Sequence, residues 1–158
     1  MGQLVHNLED LENLLSERRK RGEHVTFTNG AFDLLHVGHL RTLQGARAEG
    51  DCLVVALNSD ASVRRSKGPG RPVVPEGERA ELLCGLACVD YVILFDEPTV
   101  DDLLKRLKPD VHAKGTDYTV ETVPERQTVL AYGGRIAITG DPKEHSTTDL
   151  AARLKKAP

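Results

Sequence analysis

Residues 25–39 read VTFTNGAFDLLHVGH, and this stretch restricts the fold more than any other part of the sequence. Val25–Asn29 is short and β-prone, Gly30–Leu35 predicts a loop, and His36–Glu49 predicts a helix that Gly50 ends. The order is therefore strand, tight loop and helix. That order is the first half of a unit built around a parallel strand.

Two histidines stand at the start of the predicted helix. His36 and His39 are three residues apart, so they share one face of its first turn. The backbone N–H groups of a first turn have no partner within the helix, which makes it a site for anions. Gly38, between the histidines, would let a phosphate approach the backbone closely. The alternative from residues alone is two surface histidines at a helix start.

Strand-like and helix-like runs alternate along the rest of the chain. The uninterrupted apolar run Cys52–Leu57 is typical of a parallel strand that is covered on both faces. Thr99 is the predicted N-cap of its helix. Residues 58–75 are the least regular stretch, in which Gly68, Pro69, Gly70 and Pro72 predict a loop, with a short helix before that loop as an open alternative. The predicted strands are 25–29, 52–57, 91–95, 111–113 and 135–139, and the predicted helices are 8–21, 36–49, 75–86, 99–107, 124–132 and 146–156.

This pattern predicts an α/β fold, a Rossmann-like open parallel sheet with helices on both faces. We expect one domain over residues 1–158, with an N-terminal helix in 1–23 and a motif-bearing core in 24–153. Ligands of such sheets bind outside the carboxyl ends of the strands. Neither G-x-G-x-x-G after the first strand nor G-x-x-x-x-G-K-[ST] is present, which argues against a Rossmann dehydrogenase and a P-loop enzyme.

Composition sets the broad class. The chain has 158 residues, 28% of them charged, and a net charge of -3, which gives no reason to expect nucleic acid or membrane as a partner. The N-terminus lacks the pattern of a signal peptide, and no run is long enough to span a membrane. Three cysteines do not suggest a disulfide framework. We therefore expect a cytoplasmic protein.

The motifs resemble one known family. His36–His39 (HVGH) is similar to the H-x-G-H signature of the cytidylyltransferase-like nucleotidyltransferases. Collinear stretches resemble the bacterial D-glycero-β-D-manno-heptose 1-phosphate adenylyltransferases over about residues 24–153. These stretches are 26–39 (TFTNGAFDLLHVGH), 58–72 (NSDASVRRSKGPGRP), 78–80 (ERA), 89–91 (VDY), 114–119 (KGTDYT) and 146–148 (STT).

The resemblance implies roles for individual residues. His36, His39, Arg79 and Lys67 would be catalytic, and Asn58, Asp60 and Arg71 would bind substrate. Arg79 would reach the phosphates, and Lys67 and Arg71 would lie on a basic loop that closes over the site. The nucleotide would be bound by Asn29, Gly30, Ala31, Phe32, Asp33, Gly38, Lys114, Gly115, Asp117, Ser146, Thr147 and Thr148.

The role of Asp33 stays open between several possibilities. It would hold its loop, orient a histidine or help to place Mg²⁺, or else serve as a turn or cap residue. The resemblance implies Mg²⁺ as cofactor, bound mainly through the phosphates, and ATP as substrate. It also implies a sugar phosphate acceptor, a homodimer and a separate sugar kinase that supplies the 1-phosphate.

Four positions depart from the family pattern: Ala31, His112, Thr116 and His145. The last three bear on base or sugar selection. One alternative is therefore a cytidylyltransferase that acts on glycerol 3-phosphate, or the same chemistry on another small phosphate. A non-catalytic nucleotide-binding module is an alternative of a different class, and the two histidines argue against it.

Overall fold

A computed structural model describes residues 1–142 and 145–157. Strands and helices alternate along this part of the chain, as the sequence pattern predicts. The elements are β1 (Gln3–Val5), α1 (Leu8–Lys20), β2 (Val25–Gly30), α2 (Val37–Ala48), β3 (Cys52–Asn58), α3 (Asp60–Lys67), α4 (Glu76–Cys84), β4 (Tyr91–Phe95), α5 (Asp101–Leu107), β5 (Val111–Gly115), α6 (Arg126–Ala131), β6 (Arg135–Thr139) and α7 (Thr147–Lys156).

The strands form one parallel sheet in the order β1-β4-β3-β2-β5-β6. Central β3 is buried on both faces, because Val54 packs with α1 and α5 in one hydrophobic cluster and Val55 packs with α2 and α4 in another. Alternate residues of a strand point to opposite faces, so the two clusters lie on opposite sides of the sheet. The predicted α/β fold with helices on both faces is confirmed.

The N-terminal segment contains a strand that the sequence pattern does not predict. The helix expected at 8–21 is confirmed as α1, but residues 3–5 form β1 at the edge of the sheet. Leu4 pairs with Val92 of β4. Three residues are too few to display a period-two pattern, so pairing with β4 decides their conformation.

The segments before α5 and after β3 also show details that the sequence prediction lacks. Thr99 does not cap α5: the helix begins at Asp101 after Val100, with no side-chain cap. Val100 is fully buried, so packing determines where this helix starts. The short helix left open before the predicted loop is present as α3, and Ser59 caps it by accepting from the backbone N–H of Ser62.

The sheet changes direction between β2 and β5. From β2 the chain runs outward through β3 to β4, whereas β5 and β6 lie on the opposite side of β2. Only two residue pairs join β2 to β5, Thr26 with Val111 and Phe27 with His112. The two strands therefore separate toward their carboxyl ends, where ligands of open α/β sheets bind. No helix among the described residues is long and apolar enough to cross a membrane.

Candidate active site

His36 is the N-cap of α2. Its backbone is extended (φ -138°), and its Nδ1 accepts a hydrogen bond from the backbone N–H of Gly38 at 3.1 Å. An imidazole that accepts at Nδ1 carries its proton on Nε2 when it is neutral. The cap therefore leaves Nε2–H as a donor. The helix begins at Val37 rather than at His36, and this shift gives His36 its role as cap.

The two histidine rings are stacked. Their centroids are 3.9 Å apart with 23° between the planes, and Phe32 packs edge-on against His39. Burial lowers the pKa of His39 to about 4, and the neighbouring His36 and Lys67 act in the same direction. Burial and His145 lower the pKa of His36. Both rings are therefore neutral near pH 7 and present N–H donors without charge of their own.

Gly38 is required by the ring of His36. A Cβ at this position would lie 2.9 Å from Cε1 and 3.0 Å from Nδ1 of His36. Carbon atoms in proteins pack at roughly 3.5–4.0 Å, so a methyl group would displace the ring. Gly38 thus lets the imidazole fold back onto the helix end.

The loop before α2 is held by the carboxylate of Asp33. Its Oδ2 accepts from the backbone N–H of Val73 (2.9 Å) and from Arg71 (3.2 Å), and its Oδ1 accepts from the backbone N–H of Val74 (3.0 Å). Burial opposes ionisation, but these donors hold the pKa of Asp33 below its usual value. Asp33 therefore ties the loop after α3 to the loop after β2.

Asp33 lies between two residues in an unusual backbone conformation. Phe32 (φ 47°) and Leu34 (φ 50°) both have positive φ angles. This left-handed region costs a non-glycine residue on the order of 1 kcal/mol or more. The conformation persists because the surroundings hold the loop on both sides: Thr147 Oγ1 also donates to the Asp33 carbonyl at 2.7 Å.

Arg79 lies in a different place from the one expected. It is 1% exposed and does not line the cleft. Its guanidinium donates to the carbonyls of Val74 (2.9 Å), Ala31 (2.6 Å) and Asn58 (2.9 Å), and to Asp60 Oδ1 (2.7 Å). Arg79 connects the loops that follow β2, β3 and α3, so its contacts are those of an internal brace.

The predicted substrate-binding residues, Asn58, Asp60 and Arg71, lie near Arg79 or Asp33 and do not line the cleft. Asn58 donates from Nδ2 to Ser62 Oγ, Asp60 pairs with Arg79, and Arg71 pairs with Asp33. Lys67 does line the cleft. Burial and then Arg71 lower the pKa of Lys67, and Asp33 partly offsets them.

The last helix of the chain also contributes to the cleft wall, through the N-terminus of α7. Ser146 caps this helix by accepting from the backbone N–H of Asp149 at 3.0 Å. Thr147 and Thr148 stand in its first turn and line the cleft. Two helix N-termini, those of α2 and α7, therefore face the same cavity, and both favour negative charge.

Another part of the cleft wall is formed by the end of β5 and the residues after it. Lys114 Nζ donates to Asn29 Oδ1 at 3.1 Å and lies 5.0 Å from the centre of the Tyr118 ring. Thr116 Oγ1 donates to the carbonyl of Asp141 at 2.6 Å, and Asp141 pairs with Arg41.

These elements enclose a cavity of about 430 Å³. That volume is suited to a small-molecule ligand. The predicted residues that line it are Asn29, Gly30, Ala31, Phe32, Asp33, His36, Gly38, His39, Lys67, Lys114, Gly115, Asp117, Ser146, Thr147 and Thr148.

Sequence reasoning omitted several lining residues from the site. Thr42 lies three residues after His39 on α2, so helical spacing could have identified it. Thr116 and His145 depart from the family pattern, and Tyr118 lies in the motif stretch 114–119. The omitted lining residues are Thr28, Thr42, Thr116, Tyr118, Asp141, Pro142 and His145.

The donor set does not form a magnesium cage. Each carboxylate oxygen of Asp33 accepts from N–H donors of its own fold, so the contacts of this side chain are those of a residue that holds its loop. Within residues 1–142 and 145–157, no group of three or more histidine, cysteine, aspartate or glutamate side chains is arranged to hold a metal.

Comparisons with known proteins agree with this geometry. The sequence profile of the cytidylyltransferase-like family matches residues 27–153. The chain is 51% identical over 146 residues to bifunctional protein HldE of Syntrophotalea carbinolica, covering 92% of this chain and 30% of that protein. It is 47% identical over 153 residues to bifunctional protein HldE of Geobacter sulfurreducens, covering 97% and 31%. The chain thus spans about 30% of the length of these curated relatives.

Solved structures share the fold. A lipopolysaccharide core biosynthesis protein from Thermoplasma volcanium superposes with a TM-score of 0.67 at 27% identity, covering 77% of this chain and all of that chain. A pantothenate synthetase from Thermus thermophilus superposes with a TM-score of 0.68 at 19% identity, covering 99% of this chain and 71% of that one. The second likeness concerns the fold alone.

Proposed function

The chain belongs to the cytidylyltransferase-like family, and from this premise we propose that it transfers the adenylyl group of ATP to D-glycero-β-D-manno-heptose 1-phosphate. The products are ADP-heptose and pyrophosphate. The observation that carries the proposal is the stacked pair His36–His39 at the N-terminus of α2, in a cleft that α7 also faces. Such an arrangement suits a ligand with several phosphates.

The imidazoles act as neutral hydrogen-bond donors. His36 offers Nε2–H, because its Nδ1 is already engaged by Gly38. His39 lines the same cleft; its Nδ1 is buried and has no hydrogen-bond partner among residues 1–142 and 145–157, so a ligand would meet this ring at Nε2. Phosphate oxygens that gain negative charge during the reaction would meet these donors in a partly desolvated cleft, where a hydrogen bond is stronger than in water.

The reaction needs little acid–base chemistry from the protein. The second pKa of a phosphate monoester is about 6, so the heptose 1-phosphate is largely a dianion at neutral pH. Its oxygen attacks the α-phosphorus, the bond from that phosphorus to the β-phosphate oxygen breaks, and pyrophosphate leaves. Positioning and charge stabilisation are then the main contributions of the protein.

Lys67 is the cation best placed to approach the phosphates from the loop side. It lines the cleft at the end of α3, and Asp33 fixes the loop that follows through Val73 and Val74. Arg79 braces the same loop through the Val74 carbonyl. We assign Lys67 to ligand binding and Arg79 to positioning. We expect Mg²⁺ to arrive on the triphosphate, since no group of three or more metal-ligating side chains is arranged to hold it among residues 1–142 and 145–157.

Support for the heptose acceptor comes from the motif resemblance along residues 24–153 and from the HldE relatives. The structural neighbour described as a lipopolysaccharide core biosynthesis protein is consistent with it. A kinase reaction must supply the sugar 1-phosphate. We place the reaction in the cytoplasm, where ATP is available, and we propose a homodimer on the family resemblance.

The test is a panel of substrates. Purified protein with Mg²⁺ is given heptose 1-phosphate and one nucleotide at a time, ATP, CTP, GTP or UTP, and pyrophosphate release is measured. We expect release with ATP. Release with another nucleotide only would contradict the adenylyl assignment, and release with glycerol 3-phosphate but not heptose 1-phosphate would contradict the acceptor.

A further inference from the structure

A buried polar cluster lies directly behind the cleft wall. Lys114, near the end of β5, donates to Asn29 at the end of β2, where the backbone pairing of these strands has already stopped. The bond therefore bridges the opening between the two strands. Both residues line the cleft.

Glu125 stands on the inner side of Lys114. It is the residue before α6, and its Oε2 lies 3.7 Å from Lys114 Nζ and 3.4 Å from His112 Nε2. The side chains of Lys114 and Glu125 are each 8% exposed and that of His112 is fully buried. His112 packs against Phe27, with 5.6 Å between the ring centres. The cluster is thus enclosed except where Lys114 meets the cleft.

The charges of this cluster follow from its burial. Burial would raise the pKa of Glu125, but the contact with His112 and the charge of Lys114 bring it below its usual value. Burial lowers the pKa of Lys114, and Glu125 offsets part of that effect. Burial lowers the pKa of His112, so the ring is neutral and donates Nε2–H to the carboxylate. Glu125 is therefore the counter-ion that keeps a buried ammonium group charged.

We propose that Glu125 is a positioning residue of the nucleotide site, whose carboxylate holds the Lys114 ammonium group against Asn29 at the cleft wall. This rests on the proposed function, because it takes the cleft as the ATP site. His112 does not line the cleft. Its effect on the cleft passes through Glu125. His112 is one of the positions that depart from the family pattern, and this contact gives it a role in the site.

The test is the binding of ATP, measured by calorimetry without any acceptor. Glu125→Gln keeps the shape of the side chain and removes its charge, and we expect ATP to bind about tenfold more weakly, because Lys114 loses its counter-ion. Lys114→Met should weaken binding by at least as much. In the Lys114→Met background, Glu125→Gln should cause no further loss, since two residues that act through one contact are not additive.

The control is Glu121→Gln, an exposed carboxylate in the same loop, which should bind ATP as the unchanged protein does. The proposal would be overturned if Glu125→Gln binds ATP with unchanged affinity. It would also be overturned if the losses of affinity caused by Glu125→Gln and Lys114→Met add up in the double variant. If Glu125→Gln alone does not fold, the double variant provides the test. We expect the double variant to fold and to bind ATP as Lys114→Met does. A further loss of ATP affinity would contradict the proposal. Absence of ATP binding by the unchanged protein would overturn the proposed function as well.

Discussion

His36 and His39 combine three features that a sequence motif describes only in part. They are stacked, they lie at a helix N-terminus, and their pKa values are lowered by burial. Spacing predicts a shared helix face, but the 3.9 Å stack and the cap formed by His36 depend on rotamers. The motif thus predicts which residues meet, and packing determines their protonation.

Replacing either histidine tests its role as a donor. We expect His36→Ala and His39→Ala each to lower turnover by roughly 100-fold or more, as loss of one donor to a developing charge does. Pyrophosphate release gives the rate, and circular dichroism monitors the fold. Near-normal turnover in both variants would contradict the mechanism.

Gly38→Ala tests the ring position alone. The added methyl group would lie 2.9 Å from the ring of His36 and push it aside. The unfolding midpoint should change little, because a side chain can move, while turnover should fall about tenfold or more. Gly77→Ala on α4 is the matched control, since a Cβ there would meet nothing within 4 Å. A loss of turnover equal in both variants would argue against this explanation.

The lowered pKa of His39 predicts a dependence of stability on pH. Its folded-state value is about 4, below the ordinary 6.5, so protons bind the unfolded chain more readily. The contribution of the neutral His39 ring to the free energy of unfolding is complete above about pH 6.5 and is lost as pH falls toward about 4. Urea unfolding at about pH 7 and about pH 4.5 should show a smaller loss of stability in His39→Gln than in the unchanged protein. An equal loss of stability in His39→Gln and in the unchanged protein would contradict the burial of a neutral His39 ring.

At the scale of elements, the loop after α3 was the hardest part to predict. Gly68, Pro69 and Gly70 indicate a loop, yet they do not say what holds it. Asp33 holds it from a distant segment through Val73 and Val74. Arg79 holds it through the nearby Val74 while also donating to the distant carbonyls of Ala31 and Asn58. Buried partners so distant in sequence leave no local pattern, which is why Arg79 was expected at the phosphates.

Arg79→Lys distinguishes a structural role of Arg79 from a role as phosphate ligand. The substitution keeps the positive charge but removes the planar set of hydrogen-bond donors. We expect a loss of about 2–4 kcal/mol in the free energy of unfolding, as buried carbonyls lose their partners. Urea unfolding provides the measurement, with Arg153→Lys on α7 as an exposed control. Unchanged stability combined with a raised KM for ATP would instead place Arg79 at the phosphates.

At the scale of the whole molecule, the alternating pattern was sufficient to predict the parallel sheet and the edge at which the cleft lies. Strand β1 was missed, because three residues carry no period and pairing with β4 decides their structure. No local pattern predicts the Glu125 cluster, because its members meet only when Glu125, the residue before α6, packs against β5. Local order along the chain is thus more predictable than buried polar contacts between distant segments.

A ligand that binds only the folded chain must stabilise it. ATP at about 100 times its Kd should raise the free energy of unfolding by about 2.7 kcal/mol. For a domain of this size the midpoint should rise by roughly 5–10 °C. Thermal unfolding with and without ATP measures the shift, and a variant lacking both His36 and His39 should show less of it. Equal shifts in both proteins would place ATP elsewhere.

We propose that this cleft joins an adenylyl group to a sugar phosphate with the help of His36 and His39. The most direct measurement is formation of ADP-heptose from ATP and D-glycero-β-D-manno-heptose 1-phosphate, followed by mass spectrometry in the unchanged protein and in His36→Ala/His39→Ala. We predict one pyrophosphate for each ADP-heptose in the unchanged protein and almost no product in the variant. Binding of ATP without any product from the unchanged protein would contradict the account.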